Sequence, residues 1–247
     1  MEFIFIFTLG ACIGSFCNVL IYRTPKNIEI VNSRSRCTKC NTQLFWWHNI
    51  PIISFIFLRA KCYFCKKSIP FSYPIIEILT ATIWIILMYK MGLTLEFLLM
   101  SIIFSLLLTL TAIDIHQKAV PDSINISALT LTFLYGMFSY DFINHITNML
   151  VVLAIFYLIR LYMSYFLKQE AMGEGDIIIG AIMGGIIGIK LSLLGIFLAS
   201  ILALPFSIYS RIKGELELAF IPFLASAIFI IFIFNDISKD IMTYVTS

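Results

Sequence analysis

The sequence predicts an all-α polytopic membrane protein, and composition and hydropathy carry that prediction. Of 247 residues, 60% are apolar and only 13% are charged, and the mean hydropathy is +0.97. Soluble domains average about 45–50% apolar and about 25% charged residues. A single core of this size would still need a polar surface that the chain lacks. These values exclude a soluble globule, a disordered tail and a disulfide-rich secreted domain.

Eight apolar segments are candidates for transmembrane helices, because a hydrocarbon core of about 30 Å takes roughly 20 helical residues. They are Phe3–Tyr22, Phe71–Tyr89, Leu95–Ile113, Ile124–Tyr140, Ile146–Leu167, Ile177–Ile189, Leu191–Tyr209 and Leu218–Phe234. The sixth is short, since thirteen residues span about 20 Å at 1.5 Å per residue. We expect it to be tilted or to run into the seventh.

The loop after the first span carries a concentrated positive charge. Between Arg23 and Lys67 there are nine Lys/Arg residues and one acid, Glu29. The positive-inside rule places this loop in the cytoplasm and the N-terminus outside. Topology and anionic lipid account for such charge, so no nucleic-acid partner is needed.

Two cysteine pairs lie within this basic loop and predict a structural zinc site. Cys37 and Cys40 are separated by 21 residues from Cys62 and Cys65, and two such pairs can wrap one tetrahedral Zn²⁺. Disulfides are disfavoured in a reducing cytosol, while a redox-active or metal-free loop stays open as an alternative. His48 lies between the pairs, and we expect a surface histidine rather than a ligand. The chain then divides into a first helix (1–22), a cytoplasmic zinc-binding loop (23–70) and a seven-helix core (71–247).

Two aspartates lie at one predicted face of the membrane. Asp114 ends the third span and Asp176 begins the sixth, so both are predicted at the cytoplasmic boundary. Acids at the membrane are costly and therefore pose a functional question. At close range two carboxylates cannot both ionise. Such a pair suits aspartic proteolysis, in which one member takes a proton from water and the other donates to the scissile carbonyl.

The residues around these acids support that chemistry but also allow structural roles. Gly173 and Gly175 precede Asp176 without Cβ bulk and allow unusual φ, so a substrate backbone could approach closely. Asp176 could instead only cap its helix, and Asp122 is predicted to be the N-cap of the fourth span. The role of Glu77, near the start of the second span, is open. A stripe of glycines, Gly180, Gly184 and Gly188, predicts close helix packing.

Taken in order, these motifs resemble those of type IV prepilin peptidases, which are G-x-G-D intramembrane aspartic proteases. The resemblance covers nearly the whole chain and rests on the following segments: Gly14-Ser-Phe-Cys-Asn-Val-Leu-Ile-Tyr-Arg23, the two cysteine pairs with Asn49-Ile-Pro51 and Arg59-Ala-Lys61, Ser72-Tyr-Pro-Ile-Ile-Glu77, Asp114 with Pro121-Asp122, and Gly173-Glu-Gly175-Asp176. Ala60 and Ile178 stand where family members often have glycine and lysine.

The resemblance implies an enzyme of the bacterial inner membrane that cuts leaders from type IV prepilins and pseudopilins at the cytoplasmic face. It implies Asp114 and Asp176 as the catalytic pair. It also implies N-methylation of the new terminus with S-adenosylmethionine through the cysteine-loop region, at a site that the sequence does not locate. A proton-linked transporter using the same aspartates is the alternative from another class, although these acids are predicted at one edge of the membrane rather than at its middle.

Overall fold

The computed structural model describes residues 1–30, 32–138, 141–168, 172–214 and 218–234. Its regular structure is helical, apart from two isolated bridges, Arg36 with Gln43 and Lys61 with Ser68. The helices are α1 Glu2–Arg23, α2 Ile53–Phe57, α3 Ser72–Met91, α4 Leu95–Gln117, α5 Asp122–Met137, α6 Phe142–Leu167, α7 Glu174–Ile212 and α8 Ile221–Ile233. The all-α fold class is confirmed.

Five helices among the described residues are long and apolar enough to cross a membrane. They are Glu2–Lys26, Ser72–Met91, Leu95–Gln117, Phe142–Phe166 and Glu174–Ile212, and α8 is a shorter apolar helix. The polytopic prediction is thereby confirmed. The predicted fourth span reaches only Met137 in α5, and its predicted end at Tyr140 lies outside the described residues.

The predicted sixth and seventh spans form one interrupted helix, α7. Gly188 has φ 76° and ψ 166° and breaks α7 into two arms. This left-handed φ is accessible to glycine at little cost. The expectation that the short sixth span runs into the seventh is therefore correct, with the break at the last glycine of the predicted stripe.

The chain forms two compact units, Met1–Thr109 and the part from Leu110 onward. The predicted division at 22 and 70 follows membrane topology and stays a prediction. In unit 1, α1 packs closely on α3: a Cβ added at Gly14 would lie 2.7 Å from the Glu77 Cα, and one at Gly10 2.8 Å from the Ala81 Cα. The glycines let the two backbones approach, which is the usual route to tight packing between membrane helices.

In unit 2, the first arm of α7 packs between α5 and α6. A Cβ at Gly184 would lie 2.4 Å from the Asn148 carbonyl oxygen, and one at Gly180 2.6 Å from the Phe156 ring. The predicted close packing at these two glycines is confirmed. This packing fixes the middle of the first arm of α7, one to two turns beyond Asp176.

Candidate functional site

Asp114 and Asp176 come together inside unit 2. Asp114 lies near the C-terminus of α4 and is 5% exposed, and Asp176 lies in the first turn of α7 and is 9% exposed. The two carboxyl groups are close enough for their charges to interact. The proximity that the sequence predicted for these acids is therefore present.

Each carboxyl group lies at the N-terminal end of a helix. Asp114 Oδ2 accepts a hydrogen bond of 3.2 Å from the Ile221 amide in the first turn of α8. Asp176 accepts one from the amide of Gly173, the N-cap residue of α7. Helix N-termini carry partial positive charge. Two buried acids whose charges interact thus obtain partial compensation from two helix ends.

The capping roles differ from those predicted. Asp176 is the third residue of α7 and bonds back to the N-cap amide, as the acidic member of a capping box does; its local role therefore coexists with its contact to Asp114. Pro121, not Asp122, is the N-cap of α5, and Asp122 is the first helical residue. The N-cap prediction for Asp122 was wrong by one position, because the extended backbone before the helix belongs to the proline.

Gly173 and Gly175 serve different purposes. A Cβ at Gly173 would meet little beyond Asp176 Oδ2 at 3.6 Å, so the exposed, extended backbone there is open to a second chain. A Cβ at Gly175 would lie 3.3 Å from Val120 and 3.4 Å from Asn125 Nδ2. Neither glycine has a positive φ, so the expectation of unusual φ was wrong: space, not conformation, favours glycine here.

Sequence reasoning missed Asn125. Its side-chain amide, fully buried on α5, donates a 3.3 Å hydrogen bond to the Gly175 carbonyl. The available signal was an asparagine inside an otherwise apolar helix, one turn after Asp122. The Ile221 amide was also missed, since a backbone donor leaves no side-chain signal.

The four cysteines of the loop converge. All four Sγ atoms lie within 4.8 Å of one another, and Cys37 Sγ is 3.9 Å from Cys65 Sγ. A disulfide would bring two sulfurs to about 2.05 Å, whereas tetrahedral Zn–S bonds of about 2.3 Å place sulfurs about 3.8 Å apart. The donor set fits a four-thiolate metal site.

The cluster is built from two copies of one local turn, 25 residues apart in sequence. In the first, the Cys37 amide bonds to the Thr42 carbonyl, and in the second the Cys62 amide bonds to the Lys67 carbonyl, at 3.0 and 2.9 Å. Asn41 and Lys66 occupy matching positions with φ of 58° and 57°. Each copy presents two thiols on one side of a tight turn.

The thiols of Cys40 and Cys65 differ in their pKa values because their hydrogen bonds and burial differ. The side chain and amide of Thr42 lower the pKa of Cys40 to about 6. The Lys67 amide lowers the pKa of Cys65, but burial and the neighbouring thiols outweigh it and raise that pKa to about 11. Four thiolates cannot accumulate at one point without a counter-charge, and a divalent cation supplies it.

His48 is not part of this cluster. It is buried against the rings of Phe45, Trp47 and Tyr63, so the expectation of a surface histidine was wrong. Its Nδ1 accepts the Phe45 amide at 3.2 Å, and burial lowers its pKa from the usual 6.5. These aromatic rings thus shield the imidazole from water while they stay exposed themselves.

Glu77 and Arg23 anchor the loop to its flanking helices. The buried Glu77 carboxylate on α3 accepts a 2.7 Å hydrogen bond from the Ile52 amide at the start of α2. The buried Arg23 guanidinium donates to the carbonyl oxygens of Glu29, Ser33 and Arg34. Glu77, whose role the sequence left open, thus contacts the loop through a backbone amide.

Two models of protein families match successive parts of the chain. Bacterial Peptidase A24 N-terminal domain matches residues 8–91, and Type IV leader peptidase family matches residues 101–208. The first match contains the cysteine loop, and the second contains Asp114 and Asp176. No solved structure matches the chain.

Curated relatives from distant bacteria match as well, each named prepilin leader peptidase/N-methyltransferase. The protein of Myxococcus xanthus is 34% identical over 203 residues, which are 79% of this chain and 58% of that protein. The protein of Neisseria gonorrhoeae is 29% identical over 92% of this chain and 89% of its own length. The protein of Bacillus subtilis is 27% identical over 94% of both. With both of its units matched in order, the chain belongs to the type IV leader peptidase family.

Proposed function

We propose that this protein is a membrane aspartic endopeptidase that removes the leader peptide from type IV prepilins and pseudopilins. One observation carries the proposal. Two buried carboxyl groups, remote in sequence, meet in unit 2 beside the open backbone of Gly173. The names of the relatives support the same substrate class.

The geometry supports the division of labour of a two-carboxylate protease. The pair retains one proton, because two like charges at short range are costly. The ionised member takes a proton from a water molecule, which attacks the scissile carbonyl, and the protonated member donates to the carbonyl oxygen. Since the pair titrates as a unit, the proton belongs to both residues and to neither alone.

The remaining groups in the site orient these two acids. The amides of Ile221 and Gly173 hold one oxygen of Asp114 and one of Asp176, which leaves other lone pairs for water and substrate. The exposed Gly173 backbone lies in the same turn as Asp176. A substrate strand laid along it would bring its carbonyl carbon to the pair.

We place this reaction at the cytoplasmic face of the bacterial inner membrane, with the N-terminus outside. The support is the charge distribution: nine Lys/Arg residues lie between Arg23 and Lys67, and cytoplasmic loops carry such an excess. The candidate spans support a multi-pass membrane protein.

We also propose a structural zinc ion held by Cys37, Cys40, Cys62 and Cys65. Four thiolates leave no open position for catalysis, so the ion orders the loop. N-methylation of the new terminus with S-adenosylmethionine is a second proposed activity, supported by the relatives' names and by the family match to residues 8–91. The loop geometry does not single out residues for the methyl donor.

The transporter alternative has no comparable support. The relatives are named as peptidases and methyltransferases, and the two acids lie at helix termini rather than at mid-helix breaks, where transporters place their ion sites.

Asparagine substitutions test the peptidase directly. Asp114→Asn and Asp176→Asn preserve shape but remove the ionisable group, and each should lower leader removal by at least about a hundredfold, within the range for lost acid–base catalysis. Mass spectrometry of the N-terminus of a coexpressed prepilin measures the product. Glu174→Gln is the matched control in the same turn. This carboxylate is 80% exposed, and its ion pair with Arg160 is of the surface kind that contributes little to stability. Full cleavage by both aspartate variants would exclude the mechanism.

A further inference from the structure

We infer that Asn125 is a positioning residue for the peptidase reaction, an inference that rests on the proposed function. Its amide nitrogen holds the Gly175 carbonyl and thereby fixes the first turn of α7, which carries Asp176. Asn125 belongs to α5, so this hydrogen bond joins two helices 50 residues apart in sequence.

The placement of Asn125 leaves little room for another orientation. The residue is 0% exposed, and its Nδ2 lies 3.4 Å from the point where a Gly175 Cβ would stand. A methyl carbon of Val120 lies 3.3 Å from the same point. A larger residue at 175 would press on the amide, so the absence of a side chain at Gly175 and the amide of Asn125 form one fitted contact.

The other half of the amide argues against a purely structural role. Asn125 Oδ1 is buried and has no hydrogen-bond partner among the described residues. An orphaned buried acceptor costs about 1–3 kcal/mol, and native proteins contain few such groups. The carbonyl of Gly175 lies in the first turn of α7, where the helix itself offers a bonding amide one turn on. An apolar side chain at position 125 would therefore remove the unpaired Asn125 Oδ1, and the Gly175 carbonyl would keep a hydrogen-bond partner within its own helix.

The bonded Nδ2 and the unpaired Oδ1 together predict an unusual combination of effects for Asn125→Leu. Leucine has nearly the same shape as asparagine but no polar side-chain atoms. Stability should be unchanged or increased, because the orphaned acceptor disappears. Catalysis should fall, because the turn that carries Asp176 loses its tether, and small misplacements of a catalytic group are costly. Stabilising changes that lower activity are a known mark of residues kept for function.

Three measurements on the full-length protein in detergent or lipid test the inference. We expect Asn125→Leu to lower kcat for leader removal at least about tenfold, with KM within about twofold of the parent and the midpoint of thermal unfolding equal or higher. Hydrogen exchange at residues 173–180 should become faster, because that turn is less well held.

Thr132→Val is the matched control. Thr132 is also fully buried on α5, two turns further along, but its hydroxyl donates to the Ala128 carbonyl of its own helix. This variant should leave kcat and the exchange of residues 173–180 unchanged.

The outcomes separate the possible roles of the side chain. A kcat within about twofold of the parent, or unchanged exchange at 173–180, overturns the inference. So does a joint fall of activity and unfolding midpoint, which marks a structural residue, or a raised KM with unchanged kcat, which marks a substrate contact. If the parent protein removes no leader, the proposed function fails, while the exchange measurement still decides whether Asn125 holds the turn.

Discussion

The four thiols of unit 1 come from two copies of one short turn within 29 residues, whereas the two carboxyl groups of unit 2 come from helices 62 residues apart. The loop packs aromatic rings that are themselves exposed around one buried histidine. The carboxylates are placed by glycine-mediated packing of long helices. The proposed metal site therefore depends on local turns, and the acid pair depends on helix packing.

Metal loss should give the largest effect and should be confined to the loop. We expect purified protein to hold about one equivalent of zinc and Cys62→Ser to lose it, with faster hydrogen exchange across residues 35–69 and unchanged exchange in α7. Structural zinc contributes about 10–16 kcal/mol of apparent binding energy in small zinc domains. Metal analysis together with hydrogen exchange measures both.

Cys12→Ser provides the control for this experiment, because Cys12 is an exposed cysteine of α1 outside the cluster. It should retain the metal. Full metal content in Cys62→Ser, or a parent protein with no metal and four free thiols, would contradict the zinc site.

Crowding the α6–α7 contact should give an intermediate effect and should be confined to unit 2. We expect Gly184→Ala to destabilise the protein by about 1–3 kcal/mol, the usual cost of overpacking. The added Cβ would lie 2.4 Å from the Asn148 carbonyl oxygen, and backbone yields less readily than a side chain. Thermal unfolding in detergent measures the loss, and metal content should be unchanged.

Gly195→Ala on the second arm of α7 is the matched substitution. Its Cβ would lie 3.3 Å from the ends of Ile231 and Met183, which can shift. Equal destabilisation by the two variants would show that the backbone contact at Gly184 has no special role.

Titration of His48 should give the smallest effect and only in the loop. Burial lowers the pKa of folded His48 below 6.5, so as pH falls through 6.5 the unfolded loop takes up a proton before the folded loop does. Loop stability should therefore be constant above that pH and decrease below it. His48→Gln should retain only the decrease caused by proton competition for the metal thiolates. Loop stability at each pH is measured by hydrogen exchange in the parent protein and in His48→Gln. Identical pH profiles for the two proteins would contradict the burial argument.

Sequence patterns predicted the local site better than the remote one. Cysteine spacing identified all four converging thiols, because each pair needs only one turn to face a common point. The aspartates were predicted to share a membrane face, and a capping role for Asp176 in its own helix was foreseen. The Ile221 amide beside Asp114 was not predicted, because it is a backbone donor 107 residues away in sequence. Asn125 was missed for the same reason: its partner is a carbonyl 50 residues away.

Ala60 shows how the structure explains a departure from the family pattern. This residue has φ 58°, a left-handed conformation that glycine adopts freely and alanine adopts at a cost. The glycine often present at this position in the family therefore fits the same path of the backbone. The alanine therefore adds backbone strain to the turn that precedes Cys62.

The break at Gly188 determines how far α7 can reach. Its first arm, Glu174 to Ile187, has fourteen residues and measures about 21 Å, about a third less than the thickness of an average hydrocarbon core. Ile179 to Gly185 of this arm are buried, so neighbouring helices rather than lipid surround most of it. Because Asp176 begins the arm at the predicted cytoplasmic edge of the membrane, the water that hydrolysis consumes can reach the pair without crossing hydrocarbon.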